Sequence, residues 1–188
     1  NFISDFGINS EFGTFEEIYS PNNFNRFDLS YDIYRPFFPE RGSISIQFKF
    51  GYIDNARVHS FFNLFAGGLP GLKGYSYYSI EGRKKLLGTV VFRFPVPGNL
   101  NFQATPLNLR SLFSSIYFQW GNAWSEALEF GDFKKVAGIQ FRLSTLSFYN
   151  YPIFLMFDSA YGIDSFKKDG KLKGREWRHY FTVLFDFL

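Results

Sequence analysis

The chain has 188 residues, enough for one domain or for half of a larger closed structure. Its 28 Phe and 12 Tyr are spread among polar residues, and no run approaches the roughly 18 apolar residues of a membrane helix, so the aromatic excess points to strands that are apolar on one side only. The absence of Cys excludes disulfides, thiolate metal sites and Cys nucleophiles, and a net charge of +3 with scattered basic residues gives no footprint for nucleic acid.

Period-2 alternation predicts eight strands. A weak segment near 2–12 comes first. Over 26–34, Phe27, Leu29, Tyr31 and Ile33 alternate with Arg26, Asp28, Ser30 and Asp32; over 43–51, Ile44, Ile46, Phe48 and Phe50 alternate with Ser43, Ser45, Gln47, Lys49 and Gly51. A weaker segment at 86–96 is followed by 112–121, where Ile116, Phe118 and Trp120 oppose Ser115, Tyr117, Gln119 and Gly121. In 136–144, Ala137, Ile139, Phe141 and Leu143 oppose Gly138, Gln140, Arg142 and Ser144, and a weaker strand covers 151–163. The last strand, 178–188, sets Phe181, Val183, Phe185 and Phe187 against Tyr180, Thr182, Leu184 and Asp186.

The connections alternate in length. Those at about 13–23, 54–84, 122–132 and 164–177 are long, and those at 36–42 and 147–150 are short, as in outer-membrane barrels with long outer loops and short periplasmic turns. The third inner turn, 97–110, is longer than that pattern requires. Phe37, Phe38, Phe148, Tyr149 and Tyr151 flank inner turns, where an aromatic girdle meets the lipid interface. The predicted fold is all-β, an antiparallel transmembrane β-barrel occupying 1–188 as one domain, with a periplasmic C-terminus. Eight strands left open in lipid would have two unpaired edges, so they belong to a larger barrel, close as a small one, or pair with another copy. With no signal peptide and a strand-like segment starting at Asn1, an upstream portion is expected to be missing.

The longest connection contains Gly67-Gly68-Leu69-Pro70-Gly71-Leu72-Lys73-Gly74-Tyr75, a density of Gly and Pro that excludes a regular strand or helix. Taken alone, this stretch also fits a flexible surface loop. It is followed by Tyr78-Ser79-Ile80-Glu81-Gly82, then Phe92-Arg93-Phe94-Pro95, then Tyr117-Phe118-Gln119-Trp120-Gly121-Asn122-Ala123-Trp124. Gly138 to Arg142, Phe157 to Gly162 and Phe181 to Phe187 complete the series.

In this order, over about 60–188, the chain resembles the BamA-like superfamily of outer-membrane barrels, the bacterial surface antigen family. The resemblance implies a 16-stranded barrel of which this chain is the C-terminal half, three strands preceding the motif loop and five following it. It also implies that loop 54–84 enters the lumen. The loop motif, Gly67, Gly68, Leu72, Lys73, Gly74 and Tyr75, carries Lys where the family has Arg, and Gln119 stands where the family has its partner Asp. A Lys–Gln pair is a weaker tether than a bidentate Arg–Asp contact, which makes Asp158 an alternative inward partner. Phe181, Val183, Phe185 and Phe187 look like the terminal-strand sorting signal, although Leu188 follows the final aromatic.

By the same resemblance the function is insertion of outer-membrane proteins or polypeptide translocation, with the seam between first and last strands opening to template an incoming strand. Partners are then outer-membrane lipids, a client polypeptide, and an upstream soluble domain or second barrel half. The alternative is a non-catalytic anchor or binding barrel attached to a soluble domain; a small barrel enzyme is a third, weaker alternative. His59 and His179 fall at no spacing that demands a Ser-His-Asp or metal site, so no catalytic residue, metal or cofactor is assigned. Lys167, Lys168, Lys171, Lys173, Arg175 and Arg178 gather in the last outer loop, where a solvated face is the plain account and lipid phosphate or a partner the alternative. Trp120, Trp124 and Trp177 read as interfacial anchors.

Overall fold

The computed structural model describes residues 23–36, 42–57, 59–96, 102–104, 107–127, 130–146, 151–168 and 170–185. In chain order its strands are β1 (Arg26–Pro36), β2 (Ser43–Ile53), β3 (Leu64–Phe65), β4 (Glu81–Gly82), β5 (Lys84–Pro95), β6 (Phe102–Ala104), β7 (Leu107–Trp124), β8 (Lys134–Leu146), β9 (Pro152–Gly162), β10 (Phe166–Lys168), β11 (Lys171–Lys173) and β12 (Trp177–Phe185). The long strands form one antiparallel meander, β1-β2-β5-β7-β8-β9-β12, and β6 pairs with the start of β7. Two small hairpins, β3–β4 and β10–β11, stand apart. Among the described residues β1 and β12 are the sheet's free edges. The strand expected near 2–12, the ends Asp186 to Leu188, and the girdle residues Phe37, Phe38, Phe148 and Tyr149 lie outside the described residues.

The alternation sorts side chains largely as the register requires, because the strand pairings set many apolar positions opposite apolar positions. Leu29 faces Phe50, Tyr31 faces Phe48, and Ile44 faces Phe92. The row runs on through Phe92 with Ile116 and Ile116 with Ile139, and at the far side Phe141 with Phe157 and Phe157 with Phe181. This apolar face crosses all seven long strands and is left uncovered by the described residues: Leu29 is 65% exposed and Phe181 69%. The aromatic rings there pack on one another, Phe48 edge-on to Trp120 and Trp120 alongside Phe118.

The connection 97–110 is longer than an inner turn because it holds secondary structure of its own. Val96 N donates to Leu112 O at 2.9 Å. The chain then turns back so that Phe102, Gln103 and Ala104 pair with Leu109, Asn108 and Leu107 as a short extension beyond β5. A register shift in the β7–β8 ladder between Leu109 and Ser111 marks a bulge, which bends the strand where this extension begins.

The opposite face is polar toward the short-connection end and apolar where the 54–83 connection lies on it. There Ala66, Leu72, Tyr75 and Ile80 pack against Leu87, Tyr117, Val136 and Ala160 of β5, β7, β8 and β9. Burying Leu or Ile in this way is worth about 1.5–3 kcal/mol each. The described core therefore sits between a connection and a sheet rather than between two sheets.

A tethered loop on the polar face as candidate functional site

The connection leaves β2 at Asp54, whose carboxylate accepts from Asn25 N and Nδ2, both at 2.8 Å. These hydrogen bonds hold its pKa below the usual carboxylate value. The β3–β4 pair and a bond from Ala66 N to Ile80 O at 2.9 Å close the neck. Beyond it the chain folds on itself. Gly68, at φ 79°, takes a left-handed conformation that a side chain would strain, and its N–H points between Leu72 O at 3.1 Å and Tyr75 O at 2.9 Å. Leu72 N returns to Ala66 O at 2.7 Å. The stretch is a compact, internally bonded turn docked on the sheet, not a solvated loop.

That turn presents Lys73 to the strands. Lys73 N donates to Gln119 Oε1 at 3.0 Å, and Gln119 Nε2 donates back to Gly71 O at 2.9 Å. The Lys73 ammonium forms an ion pair with Asp158 and lies 4.6 Å from the centre of the Tyr117 ring. Tyr180 Oη of β12 donates to Lys73 O at 2.8 Å. Both inward candidates, Gln119 and Asp158, thus contact the motif: Gln119 holds its backbone and Asp158 its charge.

Asp158 is 3% exposed, and a buried carboxylate needs several donors. It has Lys73 Nζ, Tyr117 Oη and, at 2.9 Å, Gln140 Nε2. The register brings these groups together, since Gln140 and Tyr180 are the direct cross-strand partners of Asp158. Tyr117, Gln140 and Tyr180 were not singled out from the sequence. Alternation places all three on the inward face, but only the pairing of β7, β8, β9 and β12 puts them on one level.

Next to the tether, Gly74 lies directly on β9: a Cβ there would meet Gly162 N at 2.6 Å, so glycine is required by the close approach. Tyr75 is fully buried, with its hydroxyl 2.9 Å from Asp164 O and 3.1 Å from Lys135 O. Burial raises its pKa from the ordinary 10.0 to about 12. From the far side the β10–β11 hairpin reaches over the connection, Lys168 Nζ meeting Glu81 Oε1 at 2.5 Å and Tyr78 O at 2.6 Å. Lys168 thus departs from the plain account of a solvated basic face, because its acidic partner lies on another loop.

Between the tethered turn and β1, β2, β5, β7 and β8 lies a cavity of about 470 Å³. The remaining sequence candidates are scattered. His59 caps a short 3-10 turn, its Nδ1 accepting from Phe61 N at 3.1 Å, while His179 lies on the apolar face stacked on Phe157 and Trp177. Phe181, Val183 and Phe185 are exposed on the apolar face of β12, and Phe187 is outside the described residues. Among the described residues no group of three or more His, Cys, Asp or Glu is placed to hold a metal ion. No protein-family model matches the chain, and neither a curated protein nor a solved structure matches it significantly.

Two outcomes follow from this geometry. Replacing Asp158 with Ala strands the largely buried Lys73 ammonium and two further donors, and should destabilise the fold by about 3–5 kcal/mol in denaturant titration, with Lys73→Met/Asp158→Leu recovering much of the loss. The raised Tyr75 pKa means that the folded state holds the phenolic proton more tightly. Its contribution is fully present below pH 10 and is lost as pH rises toward 12. Subtracting the tyrosinate absorbance titration of Tyr75→Phe from that of the parent should leave one transition near 12, and the parent should lose more thermal stability over that interval than the variant.

Proposed function

We propose that the sheet is part of an outer-membrane β-barrel of BamA-like type, with the 54–83 connection inside its lumen, acting in insertion of outer-membrane proteins or translocation of a polypeptide. The observation that carries this reading is the docked turn: Leu72-Lys73-Gly74-Tyr75 lies on the polar face of an antiparallel meander, and its cation is held by a strand carboxylate. In that reading the exposed apolar face meets lipid and the opposite face lines the lumen.

Two further features support curvature around the connection. Lys73 is bonded through its backbone both by Gln119 of β7 and by Tyr180 of β12. Those strands are three positions apart in the sheet, about 14 Å at ordinary strand spacing. Side chains converge in this way on the concave side of a curved sheet. The free edges of β1 and β12 would each expose unpaired backbone groups in lipid, at several kcal/mol per group, so each needs a partner strand in the assembled barrel.

The non-catalytic anchor stays as the second reading, favoured by Gln119, a neutral residue where the resembled family has an Asp. The native protein, purified with whatever chain accompanies it and reconstituted in liposomes, should speed the folding of an unfolded outer-membrane protein into those liposomes, and Lys73→Ala should slow it several-fold. Normal insertion of the protein itself with no acceleration of any client would leave the anchor as the better account.

The lipid-facing assignment has its own test. Phe118→Arg, at a half-exposed position in mid-strand, should destabilise the reconstituted protein by about 2–4 kcal/mol. A face bathed in water would register within about 0.5 kcal/mol.

A further inference from the structure

The cavity beside the docked turn is long, and its charge is one-sided. On β2 and β5, Lys49 pairs with Leu87 and Ser43 with Arg93, so these two lining cations stand six residues apart, about 20 Å along the strands. Arg142 of β8 lines the same space with its guanidinium 4.0 Å over the Phe154 ring, and Lys73 overhangs it from the connection. Against these four cations the lining has one carboxylate, Asp32. Asp32 takes hydrogen bonds from Gln47 at 2.5 Å and Ser30 at 3.4 Å. Lys73 is neutralised by Asp158, whereas Lys49 and Arg93 form no ion pair among the described residues.

Charges lining a cleft are screened less than charges on an open surface, and low-dielectric walls focus their field. A slot with cations at both ends and one acid between them concentrates anions and repels cations, as basic linings do in anion and phosphate pores. We propose that the slot between the docked turn and the sheet is a path for small anions, carboxylates and phosphates. The inference rests on the barrel reading, in which this face is the lumen wall.

The test uses the full native protein in planar bilayers under a potassium chloride gradient, with insertion scored separately by flotation with liposomes and heat-modifiable migration. The reversal potential should report anion preference. Lys49→Gln/Arg93→Gln should lower the chloride-to-potassium permeability ratio several-fold, Lys49→Arg/Arg93→Lys should retain it, and Asp32→Asn should raise it. Inserted protein that prefers cations, that does not conduct, or whose ratio is unmoved by the charge-removing pair overturns the anion path and leaves the barrel reading standing. Protein that fails to insert overturns the barrel reading, and the path with it.

Discussion

A carboxylate taken out of water costs several kcal/mol unless charge and hydrogen bonds replace its hydration, and Asp158 is in that position on the inward face of β9. Its partners come from three separate parts of the chain: the ammonium of Lys73, the hydroxyl of Tyr117 on β7 and the amide of Gln140 on β8. They depend on two separate conditions. The β7–β8–β9 register has to be correct for Gln140 and Tyr117 to reach, and the turn around Gly68 and Gly74 has to be docked for Lys73 to arrive. One buried charge thereby couples strand register to loop position, and the Gln119 and Tyr180 bonds to the Lys73 backbone fix the approach from either side.

The second constraint is the apolar face. Seven strands present aromatic and aliphatic side chains in cross-strand rows that no described residue covers, a contiguous apolar face of the kind that water-exposed surfaces avoid. The apolar side chains that are covered lie on the other face, under the connection, with the tether beside them. In the proposed barrel, cover of the first face by lipid and cover of the second by a loop are parallel solutions to the same demand that apolar surface leave water.

Much of this was legible because alternation is a strong signal when the two faces differ sharply. The segment 43–51 became Ser43–Ile53, and 151–163 became Pro152–Gly162. What was not legible has physical reasons. Strands of two or three residues, such as Leu64–Phe65 or Phe166–Lys168, are too short to show a period. The bulge near Leu109 breaks the period at the start of β7 and hid its extension back to Leu107. At the tether, Lys73, Gln119 and Asp158 were visible as inward candidates, but the hydroxyl and amide that complete the hydrogen bonding of Asp158 depend on pairings between residues 18 to 41 apart in sequence. Lys168 with Glu81 is another such case, two loops 87 residues apart that no local pattern connects.

The central claim is that one face of this sheet meets lipid and the other an aqueous lumen. The absence of Cys makes it directly measurable, because single cysteines introduced along β8 at 139–144 can each carry a nitroxide without background labelling. In the native protein reconstituted in liposomes, collision with oxygen should dominate at 139, 141 and 143, and collision with a water-soluble nickel chelate at 140, 142 and 144, in strict alternation. Equal access of the nickel chelate to both sets of positions would contradict the account.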